Sequence, residues 1–598
     1  MASVREALAL TAQSSTSAVS KRDAPAADED DIRLPYGFGS FQYLIMFGTI
    51  VAGATFTLHD ESFRLTAGVM DHWCRRPSEF VNLSVAEWKR LAIPLDEEGA
   101  YSHCFVRDPP HGGILARVVP CSSWEYDLST YGNNIVSEWN LVCERRWIVD
   151  LARLAYSAAC MASLAVFGTA ADHVGRRMVV FVAVPVVLVA GVGGSLPKDL
   201  HFFVAVRCVV SAAASALLPP LLALMYEVSP TSKIPAYTVA TWVVTMAMVP
   251  PTLAVAQAVK GGWAVTQLVV MLPTCLLMAL YYTIEESPAW LLVRGKVEEA
   301  ERVATRAAKL NGLQVGRCDL SGAQRYLQER EEKARDDSAS STLLCSKRLR
   351  SRTRLLMFCW TSLAYCYVSF IFSDEIFVSV VVIVIDIFLS TGAAIIVARC
   401  VPRFGFKRLV VISALVFAVM STALATVYTD DETILRNGLL LVIRMAGNVT
   451  LMFFITLAAN CYPVGIHCTG LGAGLACSRL GDTMAQMVPR VFHGLHAEAH
   501  LFIASILMTL FAAATQFLPT DSDWKRRCSV ASAKSAATEP TGEELRHMLQ
   551  DSLVPLPKAP LRPHHPSKNE KKSRAIEEYS PYSMKLSAVR EAERSAHM

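Results

Sequence analysis

Charge is what this sequence has least of. Only 18% of its 598 residues are Asp, Glu, Lys or Arg, against about 25% in soluble chains. Together with 53% hydrophobic residues and a mean hydropathy of +0.34, the shortage excludes a disordered chain and argues against a soluble enzyme. The net charge of +4 is small and dispersed, which excludes an electrostatic footprint for nucleic acid. No cysteine pair has zinc-ligand spacing, and neither a phosphate-binding glycine loop nor a nucleophile–base arrangement is present. Enzyme chemistry and an ATP-driven pump therefore have no support, and no cofactor or metal is expected. The first 36 residues mix acidic and basic side chains, so no cleavable signal peptide is expected.

Long apolar runs are what the sequence does contain. A bilayer core needs about 20 apolar residues per helix. Uncharged runs of that size lie at Gly37–Leu58, Met178–Pro197, Ala236–Val259, Gly261–Ile284, Leu355–Phe372, Leu409–Tyr428 and Leu501–Pro519. Runs with one to three charges lie at Ile148–Ala171, Phe202–Met225, Phe377–Val397, Leu439–Ala459 and Gly470–Val488. Val, Ile, Ala and Leu fill them without period-two alternation, so the twelve read as helices rather than barrel strands. The expected class is an all-α membrane protein whose surroundings are the lipid bilayer.

Basic residues give it a direction. Arg176 and Arg177, then Arg403, Lys407 and Arg408, then Lys525, Arg526 and Arg527 fall on one side, with the Lys- and Arg-rich segment 285–354. Loops on the other face carry about one each: Lys198, Lys260 and Arg436. The positive-inside rule puts both termini in the cytoplasm. The expected order is a cytosolic segment 1–36, a six-helix bundle 37–284 holding an extracellular loop 60–146, a cytosolic helical loop 285–354, a second six-helix bundle 355–519 and a cytosolic, disordered tail 520–598. The charged run Glu298–Arg335 reads as a solvated amphipathic helix. The extracellular loop holds Cys74, Cys104, Cys121 and Cys143 and the sequon Asn82-Leu83-Ser84. Four cysteines there suggest two disulfides with three possible pairings. The other cysteines read as reduced packing residues, and the sequon at Asn448 falls inside a span.

The two halves echo each other. Gly168, Asp172, Gly175, Arg176 and Arg177 follow the second span; Arg403, Gly405, Lys407 and Arg408 follow the eighth. Gly175 and Gly405 stand 230 residues apart. Tyr226-Glu227 with Pro230 after the fourth span is answered by Asn460 with Tyr462-Pro463 after the tenth. Repetition at half the membrane domain marks a transporter whose bundles rock around a midplane site. Gly175 permits a tight turn, and Asp172 is suited to accept hydrogen bonds from helix N-termini or arginines that hold the bundles together.

These features resemble the major facilitator superfamily and, more narrowly, its organic-ion transporters (cation, anion and carnitine transporters). The narrower resemblance rests on Phe38-Gly39-Ser40-Phe41-Gln42, Asp71-His72-Trp73-Cys74, Trp124-Glu125-Tyr126-Asp127 and the stretch Ile135–Cys143. Glu286-Ser287-Pro288-Ala289-Trp290 and Ala307–Gly312 add to it, as does the cysteine-bearing first loop. It implies twelve helices in two pseudo-symmetric bundles, a plasma-membrane location and transport of small organic ions by alternating access. The chain departs from the family's pattern at Ala289, at Pro402, at Lys233-Ile234, and at Asn460–Val464, with His467 where an Arg is usual. Those departures keep a transporter-like receptor or structural membrane protein as the rival.

Charges inside spans cost about 2.5–3.5 kcal/mol on insertion scales and usually face a cavity or a partner. Asp386, Arg444, Arg479 and Asp482 are such charges, with Arg207 in the outer half of the fourth span. Arg479 aligns with the arginine of the family's anion branch, so the expected substrate leans to organic anions, with organic cations or carnitine as alternatives. The competing reading is that Asp482 or Asp386 already neutralises Arg479, and that Arg444 or Arg479 neutralises Asp386. Trp360, Tyr365 and Tyr367 are candidate ligand-stacking aromatics, with core packing the plainer role. Glu227, Glu285 and Glu286 are candidate gate residues.

Overall fold

The computed structural model describes residues 36–518, apart from 97–98, 130–131, 231–232, 260, 314–319, 321–323, 325–346, 372–379, 428–432 and 492–496. The expectations for the terminal segment 1–35 and the tail 519–598 lie outside the described residues, as does most of the segment joining the halves.

Among the described residues, twelve long helices follow the predicted order. The first half has α1 (Ser40–Thr66), α2 (Trp147–Val174), α3 (Arg176–Gly193), α4 (Leu200–Val228), α5 (Ile234–Ala258) and α6 (Gly262–Thr283). The second has α7 (Lys347–Ile371), α8 (Val380–Phe404), α9 (Phe406–Val427), α10 (Thr433–Ala459), α11 (His467–Val491) and α12 (Ala497–Gln516). Ten contain a stretch long and apolar enough to cross a membrane. The other two, α7 and α11, fall short for a visible reason. The helix α7 starts on the basic run Lys347–Arg354, and α11 carries Thr469, Ser478, Arg479 and Asp482. Polar groups of that kind are tolerated in a bilayer when protein rather than lipid faces them.

Two hydrophobic cores match the two halves. One gathers Phe41, Val184, Val210, Leu224 and Leu277, and the other Leu363, Phe417, Phe453 and Phe511. Both echoed glycines sit in the left-handed region, Gly175 at φ 119° and Gly405 at φ 81°. Each ends one helix and starts the next within a single residue, a backbone shape that penalises any side chain. Between the halves, α11 packs on α2 and α4, while α8 and α10 pack on α5.

A short amphipathic helix, Val297–Leu310, follows α6 and buries Ala300, Ala304, Ala307 and Ala308 against the first core. It realises the described part of the charged run. Its C-terminal Asn311 donates to the Tyr36 carbonyl at 2.8 Å and accepts from the Phe41 N–H at 2.9 Å. Those contacts tie two of the family-like motifs together.

The first helix runs to Thr66, past the residue at which the sequence reading begins the loop. Between α1 and α2, β1 (His72–Cys74) pairs with β4 (Trp124–Tyr126), and β2 (Phe105–Asp108) with β3 (Arg117–Pro120). Of the three possible pairings, the disulfides are Cys74–Cys121 and Cys104–Cys143, with Cα atoms 5.4 and 5.7 Å apart. The helix Val85–Ala92 is capped by Ser84 and buries Trp88, whose indole N–H donates to the Cys74 carbonyl. Trp139 packs with tilted rings against Phe203 of α4 and Trp263 of α6, docking the loop onto the first bundle. Asn82 is exposed just ahead of the capped helix, whereas Asn448 is 2% exposed inside α10.

Glu125 is the polar centre of the loop. Its carboxylate accepts from the Trp73 indole at 3.0 Å and pairs with Arg76 at 3.1 Å. Burial pushes its pKa up, but the bonds from Arg76 and Trp73 outweigh that and hold it below the ordinary 4.5. A depressed carboxyl adds stability above its unfolded pKa and loses it as pH falls through the folded value. Protease resistance of the intact loop should therefore hold at neutral pH and decline below about pH 4.5. Glu125→Gln should lower the neutral-pH resistance and flatten that decline, as limited proteolysis across a pH series would read.

Candidate functional site

The helices α2 and α11 form the seam on which the candidate residues meet. Gly168 faces Gly472, where a methyl group on Gly168 would lie 2.7 Å from the Cys468 carbonyl oxygen. Toward one end Asp172 meets Cys468 and Thr469; toward the other Cys160 meets Arg479, and Arg153 donates to Gln486. The antiparallel register thus holds along most of both helices. Small residues permit such close approach where no hydrophobic effect drives helices together.

One polar group closes the end that carries the basic loops. Asp172, 2% exposed, accepts from the Cys468 N–H at 3.2 Å and from the Thr469 N–H and hydroxyl at 2.7 Å each. A carboxylate at a helix N-terminus meets both unpaired N–H groups and the positive end of the helix dipole. Asp172 comes from the first half, and the N-terminus from the second. Arg176, fully buried, pairs with Asp172 at 3.2 Å and Glu227 at 2.9 Å, and donates to the Val464 carbonyl at 2.8 Å. His467 Nδ1 lies 3.0 Å from the same Glu227 oxygen. The departure from arginine at His467 therefore does not empty the position. Glu286 accepts from the backbone N–H groups of Arg176 and Arg177 at 3.1 Å, and burial pushes its carboxyl up. Arg177 lies over the Phe181 ring and 3.9 Å from Glu285.

The corresponding loop of the second half is built differently. Lys407 is buried and donates to the Gln516 and Leu518 carbonyls at 2.6 and 2.8 Å, satisfying the C-terminus of α12. Arg403 and Arg408 are exposed, with Arg403 over the neighbouring Phe404 ring. Of the second loop's candidates, Gly405 keeps its turn and Lys407 packs within its own bundle; none reaches the closed group around Asp172 and Arg176.

Arg479 lies twelve residues beyond His467 on α11, about three turns or roughly 18 Å at ~1.5 Å per residue from the closed end. Its side chain is 8% exposed; Nη1 donates to Asp60 Oδ2 at 3.0 Å, and Nη2 lies at ion-pair distance, 2.8 Å, from Asp60 Oδ1. Its Nη1 also donates to Asp482 at 3.0 Å, and the Phe56 ring lies 4.6 Å away. The expected partner Asp482 is thus present, whereas Asp386 pairs instead with Arg444 of α10 at 3.2 Å. Asp386 also accepts from Ser390, which in turn accepts from Asn448. Tyr367 lies within electrostatic reach of Asp386, Arg444, Glu61 and Asp482, linking the two charged groups. Trp360, 2% exposed, packs on Phe454 and Gly474; Tyr365 is 5% exposed within the second core. Arg207 donates to Ser62, Gln267 and the His59 carbonyl and lies beside the Phe63 and Tyr156 rings.

Asp60 is the residue that the sequence reading missed. It ends the uncharged run and was assigned to the loop, yet it belongs to α1. The helical spacing of Phe56, Asp60 and Phe63 on one continuing α1 was the pattern available to find it.

A family model described as "Sugar (and other) transporter" matches residues 148–488. The chain belongs to that transporter family, within the major facilitator superfamily. It is similar to the β-alanine transporter of Drosophila melanogaster, 25% identical over 514 residues, covering 77% of this chain and 82% of that protein. It is also similar to solute carrier family 22 member 6 of Mus musculus, 24% identical over 534 residues, covering 87% and 96%. Among solved structures it resembles the major facilitator proton:xylose symporter XylE bound to 6-bromo-6-deoxy-D-glucose, with a TM-score of 0.58 at 15% identity, over 80% of this chain and 96% of that one. The last likeness concerns the fold.

Removing the Asp172 charge should loosen this transporter's closed end. Hydrogen bonds to charged groups contribute about 1.5–3 kcal/mol, so Asp172→Asn should raise maleimide labelling of the buried Cys468 roughly ten- to hundredfold. Peptide-level mass spectrometry would read it, and unchanged labelling would count against the assignment.

Proposed function

We propose that this transporter moves small organic ions bearing a carboxylate, organic anions among them, by alternating access, and that Arg479 receives the carboxylate. The observation that carries the reading is the two-pronged contact between Arg479 and Asp60. A guanidinium held on the seam between bundles already engages a carboxylate, with a hydrogen bond from one nitrogen and an ion-pair contact from the next, and its planar donor set suits such a ligand. Asp386, Arg444 and Tyr367 supply further polar contacts, and Trp360 and Tyr365 support the wall behind them. Opening the cluster around Asp172, Arg176, Glu227 and His467 releases the substrate on the basic side. Similarity to a β-alanine transporter supports a carboxylate-bearing substrate.

The basic face is the cytoplasmic one in this reading, and the protein resides in the plasma membrane with both termini inside. The disulfide-bonded loop then faces the oxidising exterior. Asn82 is the proposed glycosylation site: Asn82→Gln should abolish the gel shift produced by peptide-N-glycosidase, and a shift that persists would place the glycan elsewhere.

Uptake tests the central claim. Cells expressing the protein should accumulate labelled carboxylate-bearing ions from a broad panel. Arg479→Asp should abolish that accumulation, and Arg479→Lys should reduce it about tenfold or more, because a lysine lacks the fork. Accumulation of carboxylate-free cations only, unaffected by Arg479→Asp, would overturn the reading.

A further inference from the structure

We infer that the Cys104–Cys143 disulfide is a thiol-exchange site: an external dithiol opens it reversibly, His72 stabilises the opened pair, and Cys74–Cys121 stays closed meanwhile. The inference stands apart from the proposed role of Arg479.

His72 supplies the site. One of its ring nitrogens and the sulfurs of Cys104 and Cys143 all lie within 4.8 Å of one another. Its Nδ1 lies 3.0 Å from the Met70 carbonyl, and burial holds the ring below its ordinary pKa of 6.5. The imidazole is therefore uncharged at neutral pH. A carbonyl only accepts, so the single ring proton sits on Nδ1 and Nε2 is left as an acceptor. That Nε2 is buried and meets no donor among the described residues. A disulfide has no S–H to offer it, whereas a thiol of the opened pair does. A buried acceptor that is unpaired in one state and paired in another shifts the equilibrium toward the second. Asp71, His103 and Arg146 are the charged and titratable groups within electrostatic reach of the ring, and Tyr126 lies 6.0 Å away. Asp71 is held by Lys89 at 2.9 Å, while Arg146 adds positive charge where a thiolate would form.

Position separates the two bonds. Cys104 and Cys143 are both half-buried, whereas Cys74 is 3% exposed. Attack on Cys121 would expel the Cys74 thiolate into a buried position, where ionisation of a thiol is disfavoured. At Cys104–Cys143 a thiolate of the dithiol attacks one sulfur, forms a mixed disulfide and expels the other as a thiolate. That thiolate takes up the proton released by the attacking thiol. The second thiol of the reagent then attacks the reagent sulfur of the mixed disulfide, closing the reagent's own disulfide and releasing the remaining cysteine, which takes up the second proton. Two electrons and two protons thus pass from the dithiol to the cysteine pair.

Opening has a local consequence. Cys104 leads into the hairpin of β2 and β3, and Cys143 comes just before α2. The bond ties that hairpin to the approach of the seam helix. Opening it releases the tie, while Cys121 keeps the hairpin anchored to Cys74. Cys143 also sits at φ 51°, a backbone region disfavoured for any side chain, which the opened chain is free to leave.

The test equilibrates full-length protein in detergent with graded ratios of reduced to oxidised dithiothreitol. Free thiols are blocked with one maleimide, the remaining bonds are reduced and labelled with a heavier one, and each cysteine peptide is quantified by mass spectrometry. Cys104 and Cys143 should be half reduced at a ratio about tenfold lower than Cys74 and Cys121. His72→Asn keeps a donor for the Met70 carbonyl and removes the Nε2 acceptor. It should raise the Cys104–Cys143 ratio roughly fivefold or more and leave Cys74–Cys121 unmoved. These are equilibrium midpoints, so a difference in access alone would not produce them. Should His72→Asn not fold, the wild-type order decides. Coincident midpoints, Cys74–Cys121 opening first, or an unchanged midpoint in folded His72→Asn would each overturn the proposal.

Discussion

The charged contacts between the two halves depend on how closely α2 and α11 approach. Gly168 and Gly472 let the backbones meet, and once they do, the polar groups on either side fall into register. Asp172 then reaches the N-terminus of α11, and Arg479 reaches Cys160 and Asp60. Neither pairing is a local property of its own helix. Each exists only while the seam is closed, so the energy of closure is distributed between a group at the basic end and a group near the centre. Such an arrangement suits a protein with two stable positions, because the contacts break as a set. A ligand that substitutes for contacts at the centre biases the equilibrium by its differential affinity for the two positions.

The repeat in the sequence describes the turns better than it describes the charges. Gly175 and Gly405 adopt the same unusual backbone region because both connections are one residue long. The basic residues beside them diverge. Arg176 crosses to the other half and meets Glu227 and the Val464 carbonyl, while Lys407 turns back to the end of its own bundle. An internal repeat therefore preserves the turn and leaves the chemistry around it free to differ. At His467 a ring nitrogen keeps contact with Glu227 although the arginine expected there is absent.

Much of this was legible in the residues because the bilayer imposes strong rules. Apolar runs place the helices, basic loops distinguish the faces, and a cysteine-rich insertion implies disulfides. The legibility ended where partners come from distant segments. Asp60 and Arg479 are 419 residues apart, and nothing in either neighbourhood announces the other. Asp60 was lost for a specific reason: a hydropathy count stops at the first charges, whereas the helix continues to Thr66 through His59, Asp60 and Glu61 because protein, not lipid, surrounds them. The same effect lowers the apolar content of α11. Disulfide pairing was equally out of reach, since it follows from the strand pairings of the loop.

The two disulfides interleave along the chain, Cys74 to Cys121 and Cys104 to Cys143. A single backbone cut anywhere between Cys74 and Cys143 leaves the severed pieces covalently joined. Cuts before Cys104 are bridged by the first bond, cuts after Cys121 by the second, and cuts between them by both. One nick therefore sheds nothing and separates no helix from its neighbours. The loop is cross-linked along its whole length beside the first bundle, able to survive damage that would detach a loop closed by side-by-side bonds.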